Sequence, residues 1–181
     1  MTIFDLEQFG RDHFTLFGLP RRQALDELDL ERLYRDVQAQ VHPDKHAHLS
    51  DSDKRLAMQW ATKVNEAYLT LKNPLKRADY LLRLMGHDPQ LEHNTAMPAD
   101  FLMHQMELRE AVAEAREGGD ADALDRMHRQ MKKEMAGQHA DLVQALDEKS
   151  DFFRGAEIVR QLMFQEKLLH EIDEALEAVG A

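Results

Sequence analysis

Apolar residues recur along most of the chain at intervals of three and four positions, and this spacing restricts the fold more than any other feature. Because an α-helix turns once in about 3.6 residues, the spacing collects apolar side chains on one face of a helix. No segment alternates apolar and polar residues over several positions between turn signals, as a half-buried β-strand requires. The sequence therefore predicts an all-α protein.

The segment from Gly86 to Pro98 marks a predicted domain boundary. Gly86 is suited to ending a helix, Pro89 prevents the helix from continuing, and the composition turns polar. We therefore predict two domains. The predicted limits are an N-terminal extension over 1–10, a first domain over 11–86, a linker over 87–97 and a second domain over 98–181.

Two long amphipathic helices, joined by a loop, are predicted in the first domain. The first covers about 29–41 and carries arginines on its polar face. The second is capped by Ser50 or Ser52 and ends before Asn73-Pro74. Apolar stripes of this length suit an antiparallel helical hairpin. Short helices are predicted to flank the hairpin, near 14–17 and over 75–85.

Three further amphipathic helices are predicted in the second domain, at about 99–116, 121–147 and 152–179. Helices with short connections bury their apolar faces by packing together, so we predict a three-helix bundle. The predicted core residues of the last helix are Ile158, Leu162, Leu169, Ile172 and Leu176.

Negative charge is concentrated in the second half of the chain. The formal net charge is −11, and residues 91–181 hold 10 Lys/Arg against 20 Asp/Glu. An acidic surface repels a phosphate backbone, so the charge argues against nucleic acid as a partner. It favours a protein partner with a neutral or basic surface.

The sequence contains no cysteine, which excludes a disulfide framework, a thiolate zinc site and an iron–sulfur cluster held by cysteines of this chain. Asp5 and Glu7 occupy an N-terminal segment that lacks the basic start and apolar run of a signal peptide. No stretch approaches membrane-spanning length. We expect a cytoplasmic protein with no membrane partner.

The loop of the predicted hairpin begins with His42-Pro43-Asp44-Lys45. Pro43 lacks a backbone N–H and disfavours helical dihedral angles at His42, so the preceding helix must stop. The polar side chains of His42 and Asp44 are thereby placed beside a helix C-terminus, where they can reach a partner. A helix stop followed by an ordinary turn would explain the same tripeptide.

A metal site is an alternative interpretation of the loop. His42, His46 and His48 lie close together in the sequence, and imidazoles are common ligands of transition metals. Their spacing across a turn need not make the rings converge, and a solvated loop explains them adequately. A metal-dependent enzyme is therefore the less favoured hypothesis.

The surroundings of the loop resemble a J-domain. The resemblance rests on Phe14-Thr15-Leu16-Phe17-Gly18-Leu19-Pro20, on Asn65-Glu66-Ala67-Tyr68-Leu69-Thr70-Leu71 and on Leu75-Lys76-Arg77-Ala78-Asp79-Tyr80. In that family, the His-Pro-Asp loop and the cationic second helix contact a DnaK-class chaperone, which hydrolyses ATP. The resemblance implies chaperone contacts at His42, Pro43, Asp44, Lys45, Arg32 and Arg35. Many J-domains are richer in lysine here, which implies weaker electrostatic attraction for this helix.

A second candidate surface lies on the first helix of the second domain. At about 100° per residue, Leu102, Met103 and Met106 fall beside three glutamates and opposite a predicted core stripe. That stripe comprises Phe101, Gln105, Leu108, Val112 and Ala115. An apolar patch rimmed by carboxylates is typical of a docking surface. A bundle helix that buries both stripes against two neighbours is the structural alternative.

The same helix resembles the HscB family of J-domain co-chaperones. The resemblance rests on Phe101-Leu102-Met103-x-Gln105-Met106-Glu107-Leu108-Arg109-Glu110 and on Val159-Arg160-x-Leu162-x-Phe164-x-x-Lys167-Leu168. It implies contacts with an IscU-type iron–sulfur scaffold protein at Leu102, Met103, Met106, Glu107, Glu110, Glu114 and Phe164. The chain would then be a co-chaperone without catalytic residues or a cofactor, which brings the scaffold to an HscA-type chaperone. A J-domain protein with another client is the alternative.

Overall fold

The computed structural model describes residues 10–41, 50–90 and 97–180. The helices in these ranges are α1 (His13–Leu16), α2 (Glu27–Val41), α3 (Asp51–Lys72), α4 (Pro74–Leu84), α5 (Ala99–Glu117), α6 (Ala121–Val143) and α7 (Phe152–Gly180). A π-helical turn, Gln144–Glu148, continues α6. No strand occurs in the described ranges, and the predicted all-α class, helical hairpin and three-helix bundle are confirmed.

Residue contacts divide the chain into two units between Leu81 and Leu82, within α4. Of the described residues, the first unit contains those up to Leu81 and the second those from Leu82 onwards. The predicted domain limits at 86 and 97 stay predictions.

The hairpin of the first unit is formed by α2 and α3. Tyr34 of α2 stacks on Tyr68 of α3, with ring centroids 4.0 Å apart. Leu30 and Val41 on one helix and Trp60 on the other are buried in the core between them. Ser50, one of the two predicted caps, begins α3 because its side chain accepts a hydrogen bond from the Asp53 N–H.

Side chains outside the hairpin fix its ends. The Asn73 Oδ1 accepts hydrogen bonds from the N–H groups of Leu75 and Lys76, both at 2.9 Å, and thereby starts α4. The buried guanidinium of Arg77 donates to the Leu71 carbonyl at 2.5 Å, which satisfies an orphan acceptor at the end of α3. Phe14 of α1 is fully buried beside Tyr80.

The bundle of the second unit packs α5 and α6 against α7. Ring contact joins Phe101 to Phe164, and an ion pair joins Arg109 to Glu171, so α5 and α7 run in the same direction. The core stripe of α7 differs from the prediction: Leu168 and Ala175 are buried, whereas Leu169 and Leu176 are half-buried. The predicted Ile158, Leu162 and Ile172 are buried. The stripe shifts because the positions of α5 and α6 around α7 decide which of its side chains are covered.

The start of α7 packs closely on the π-helical turn. A Cβ atom on Gly155 would lie 2.4 Å from Leu146 Cδ2 and 3.6 Å from Leu82 Cδ2. Only glycine permits this approach without movement of the neighbours. The π-helical turn replaces the last part of the helix predicted at 121–147, because it aims Ala145 and Leu146 into the core.

Candidate partner-binding surfaces

The predicted chaperone loop is not among the residues that the structure describes. His42, Pro43, Asp44 and Lys45 all lie in the range 42–49, as do His46 and His48 of the metal alternative. The two helices that flank this range are described, and they form the antiparallel hairpin on which the loop prediction depended. The roles of the loop residues stay predictions.

The arginines predicted on the polar face of α2 are exposed, and each is paired within its own helix. Arg32 Nη2 lies 2.8 Å from Asp29 Oδ1, and Arg35 pairs with Glu31. The hydrogen bond to Asp29 raises the pKa of Arg32, so the guanidinium stays charged. The side chains of Arg32 and Arg35 are 63% and 71% exposed, which leaves them accessible to a partner.

Leu28 is absent from the predicted site, although its spacing of four and seven residues from Arg32 and Arg35 places it on the same face of α2. It lines a cleft of about 250 Å³ together with both arginines. The helical spacing from Arg32 was the signal that could have identified it.

The apolar patch predicted on α5 is exposed. The exposed fractions of Leu102, Met103 and Met106 are 37%, 58% and 62%. On the opposite side of the helix, Gln105 and Val112 are buried in the bundle. The alternative in which both stripes of this helix are buried is therefore wrong.

Carboxylates surround the exposed patch. Glu107, Glu110 and Glu114 are exposed. Within the described part of the chain, these three glutamates form no ion pair. Unpaired, solvated carboxylates next to apolar side chains can form charge-assisted contacts with a basic partner surface.

Phe164 of α7 packs against the start of α5. It is half-buried, and its ring contacts the edge of Phe101 with centroids 6.5 Å apart. The Lys167 ammonium lies 5.8 Å from the Phe164 ring centroid. Phe101 belongs to the core stripe of α5, so this contact packs Phe164 against α5, and the membership of Phe164 in the exposed patch stays a prediction.

The ion pair between Arg109 and Glu171 lies about two turns further along the same two helices. Arg109 Nε is 3.1 Å from Glu171 Oε2, and both side chains are partly exposed. This pair and the Phe101–Phe164 contact join α5 to α7 at two positions along the helices. They hold Phe164 at a fixed position relative to α5.

The described ranges contain no group of three or more histidine, cysteine, aspartate or glutamate side chains that could hold a metal ion. Within the same ranges, no helix is both long and apolar enough to cross a membrane.

Known proteins resemble the chain in both units. Residues 12–80 match the model of the DnaJ domain, and residues 97–173 match that of the HSCB C-terminal oligomerisation domain. The co-chaperone protein HscB homolog of Aromatoleum aromaticum is 54% identical over 175 residues, which cover 97% of each chain. The chain belongs to the HscB family.

Solved structures of HscB proteins have the same fold. Chaperone HscB from Vibrio cholerae is 34% identical, with a TM-score of 0.81 over 93% of this chain and 99% of its own. Human co-chaperone HscB is 29% identical, with a TM-score of 0.85 over 91% of this chain and 82% of its own. This HscB-family chain is therefore a J-domain co-chaperone of iron–sulfur cluster assembly, and its J-domain implies an Hsp70-type chaperone as a partner.

Proposed function

We propose that this chain stimulates ATP hydrolysis by a DnaK-class chaperone of the HscA type and delivers an IscU-type scaffold protein to it. The exposed patch of Leu102, Met103 and Met106, rimmed by exposed glutamates, is the observation that carries the proposal. The chain acts by binding, while the chaperone performs the chemistry.

The scaffold-binding arm of the proposal is the α5 patch with Phe164. Burying apolar side chains of this size contributes about 1.5–3 kcal/mol each when they leave water completely. Glu107, Glu110 and Glu114 at the rim select a basic or neutral partner surface and speed the encounter. Apolar anchors therefore supply most of the affinity, and the carboxylates supply orientation.

The chaperone-activating arm is the loop at His42-Pro43-Asp44 with Lys45, Arg32 and Arg35. A bound J-domain accelerates hydrolysis only if it binds the hydrolysis-competent conformation of the chaperone better than the resting one. No group of this chain has to touch ATP. The two arms belong to different units, so each can be removed while the other is retained.

Scaffold binding is tested with Leu102→Ala plus Phe164→Ala. Calorimetric titration with a purified IscU-type scaffold should show at least about ten-fold weaker binding, which equals about 1.4 kcal/mol. Because Phe164 also contacts Phe101, the pair Met103→Ala plus Met106→Ala, at residues 58% and 62% exposed, provides a second variant that removes less packing within the bundle. Met58→Ala, which removes a methionine that is 60% exposed on α3, is the matched control. Unchanged scaffold binding by both double variants would contradict the assignment of this surface to scaffold binding.

Chaperone activation is tested with His42→Gln. The steady-state ATPase rate of the chaperone should fall to its unstimulated value, while the variant still binds the scaffold. Circular dichroism checks that the variant is folded. Full stimulation by His42→Gln would refute the role of the loop, whereas loss of both activities would indicate that the two arms are not separable.

The identity of the client is tested by comparing two activities of the wild-type chain, stimulation of the chaperone and binding of the scaffold. If the wild-type chain stimulates the chaperone but does not bind the scaffold, the alternative of a J-domain protein with another client is favoured. Hydrolase activity of the chain alone would instead favour the metal-enzyme hypothesis.

A further inference from the structure

Leu28 has the highest exposed fraction, 79%, of the large apolar side chains that the structure describes. It stands in the first turn of α2, where its backbone N–H donates to Asp26 Oδ1 at 2.9 Å. Asp26 also accepts from the Asp29 N–H, at 3.2 Å. These two bonds fix the start of the helix, so Leu28 is held on a rigid element with its side chain in solvent.

Leu28 is continuous with the two arginines of the proposed chaperone-binding face. Residues spaced by three, four and seven positions share one side of a helix, and Leu28, Arg32 and Arg35 have this spacing. The three side chains line one shallow cleft of about 250 Å³ with Glu31 and Asp36. A partner that covers the arginines must also cover Leu28.

The charge of this face limits what electrostatic attraction can contribute. The charged residues of α2 sum to a formal charge of −2, from Glu27, Asp29, Glu31 and Asp36 against Arg32 and Arg35. Both arginines already have carboxylate partners on α2. An acidic group of the chaperone would share each exposed guanidinium with a carboxylate of α2, so the net gain from a new ion pair is small.

An apolar contact between Leu28 and the chaperone does not compete with these carboxylates. Leu28 exchanges only water for the partner, and a desolvated apolar side chain in the centre of an interface commonly dominates affinity. We propose that Leu28 is the apolar anchor of the α2 face, and that it inserts into an apolar socket on the DnaK-class chaperone. This inference rests on the proposed function, because it refines the contact through which the chaperone is activated.

The experiment compares Leu28→Ala with Leu69→Ala in the stimulated ATPase assay, using the full chain and the purified chaperone. Leu69 is 52% exposed on α3 and supplies a matched loss of apolar surface. Leu28→Ala should raise the co-chaperone concentration for half-maximal stimulation about ten-fold and leave the maximal rate unchanged. Leu69→Ala should change neither value, and Leu28→Met should restore most of the affinity.

Salt dependence provides the second readout. If the apolar anchor dominates, raising the ionic strength should change the half-maximal concentration of the wild-type chain less than Leu28→Ala does. Equal affinities of Leu28→Ala and the wild type, with full stimulation by both, would overturn this inference alone. Equal weakening of chaperone binding by Leu28→Ala and Leu69→Ala would also overturn this inference. A wild-type chain that fails to stimulate the chaperone would overturn the proposed function and this inference together.

Discussion

Replacing Asp12 by asparagine is expected to destabilise the first unit at neutral pH and to have much less effect in acid. Asp12 Oδ1 accepts hydrogen bonds from the N–H groups of Phe14 and Thr15, at 3.0 and 3.1 Å. Its Oδ2 accepts from the Thr15 hydroxyl at 2.7 Å and from the Arg21 guanidinium at 2.8 Å. Burial alone would raise the pKa of Asp12, but these bonds outweigh it and lower the pKa from 3.8 to about 2.

The pKa of Asp12 sets the magnitude and the sign of the effect. The fall from 3.8 to about 2 corresponds to about 2 kcal/mol of folding free energy, at about 1.4 kcal/mol per pH unit. Because the folded-state pKa lies below the unfolded-state value, the carboxylate stabilises the fold above the unfolded pKa. This contribution is lost as the pH falls through the folded pKa, and at pH ~2.5 less than about 1 kcal/mol remains.

The assay uses the single tryptophan of the chain. Trp60 is buried in α3, so its fluorescence reports urea unfolding of the unit that contains Asp12. Asp12→Asn keeps the Oδ1 acceptor of the helix cap but removes the charge and the Oδ2 acceptor of the Thr15 and Arg21 bonds, so it should lower the free energy of unfolding by about 2 kcal/mol at pH 7. NMR titration of the wild-type Asp12 carboxyl group should give a pKa of about 2.

Asp26→Asn is the matched control. The carboxylate of Asp26 accepts hydrogen bonds from the N–H groups of Leu28 and Asp29 at an exposed helix start. Asp26→Asn should therefore lower the free energy of unfolding by only a few tenths of a kcal/mol. The reasoning fails if Asp12→Asn is equally destabilising at pH 7 and pH ~2.5, or if Asp26→Asn costs as much at pH 7.

Two glycines in long helices should respond in opposite ways to alanine. Gly155→Ala should destabilise the second unit by about 1–3 kcal/mol, because the added Cβ would lie 2.4 Å from Leu146 Cδ2 in a buried site. Gly137→Ala should stabilise it by about 0.5–1 kcal/mol, because no atom lies within 4 Å of the new Cβ and alanine favours the helix. Thermal unfolding followed by circular dichroism measures both; a stabilising Gly155→Ala or a destabilising Gly137→Ala would contradict the packing described.

Helix positions were predicted well because their signals are local. The start of α3 follows from the Ser50 cap, and the start of α4 follows from Asn73-Pro74; each needs only a few neighbouring residues. The stripe on α5 could also be predicted, since Gln105 and Val112 share a face by helical geometry alone.

Features that depend on distant residues could not be predicted in the same way. The choice of Leu168 over Leu169 for the core of α7 depends on where α5 and α6 pack. The π-helical turn depends on the approach of Gly155 to Leu146. The contact of Phe164 with Phe101 joins residues on two different helices, so their spacing in the sequence gives no sign of it.

The sequence by itself determined the helices, their breaks and the family resemblance, because helical periodicity, capping and proline act over a few residues. Only the tertiary structure decided which of the two apolar stripes on α5 faces solvent, since packing against α7 buries one and leaves Leu102, Met103 and Met106 exposed. It also left Leu28 of α2 79% exposed, because the described part of the hairpin packs on the opposite side of that helix, where Leu30 is buried.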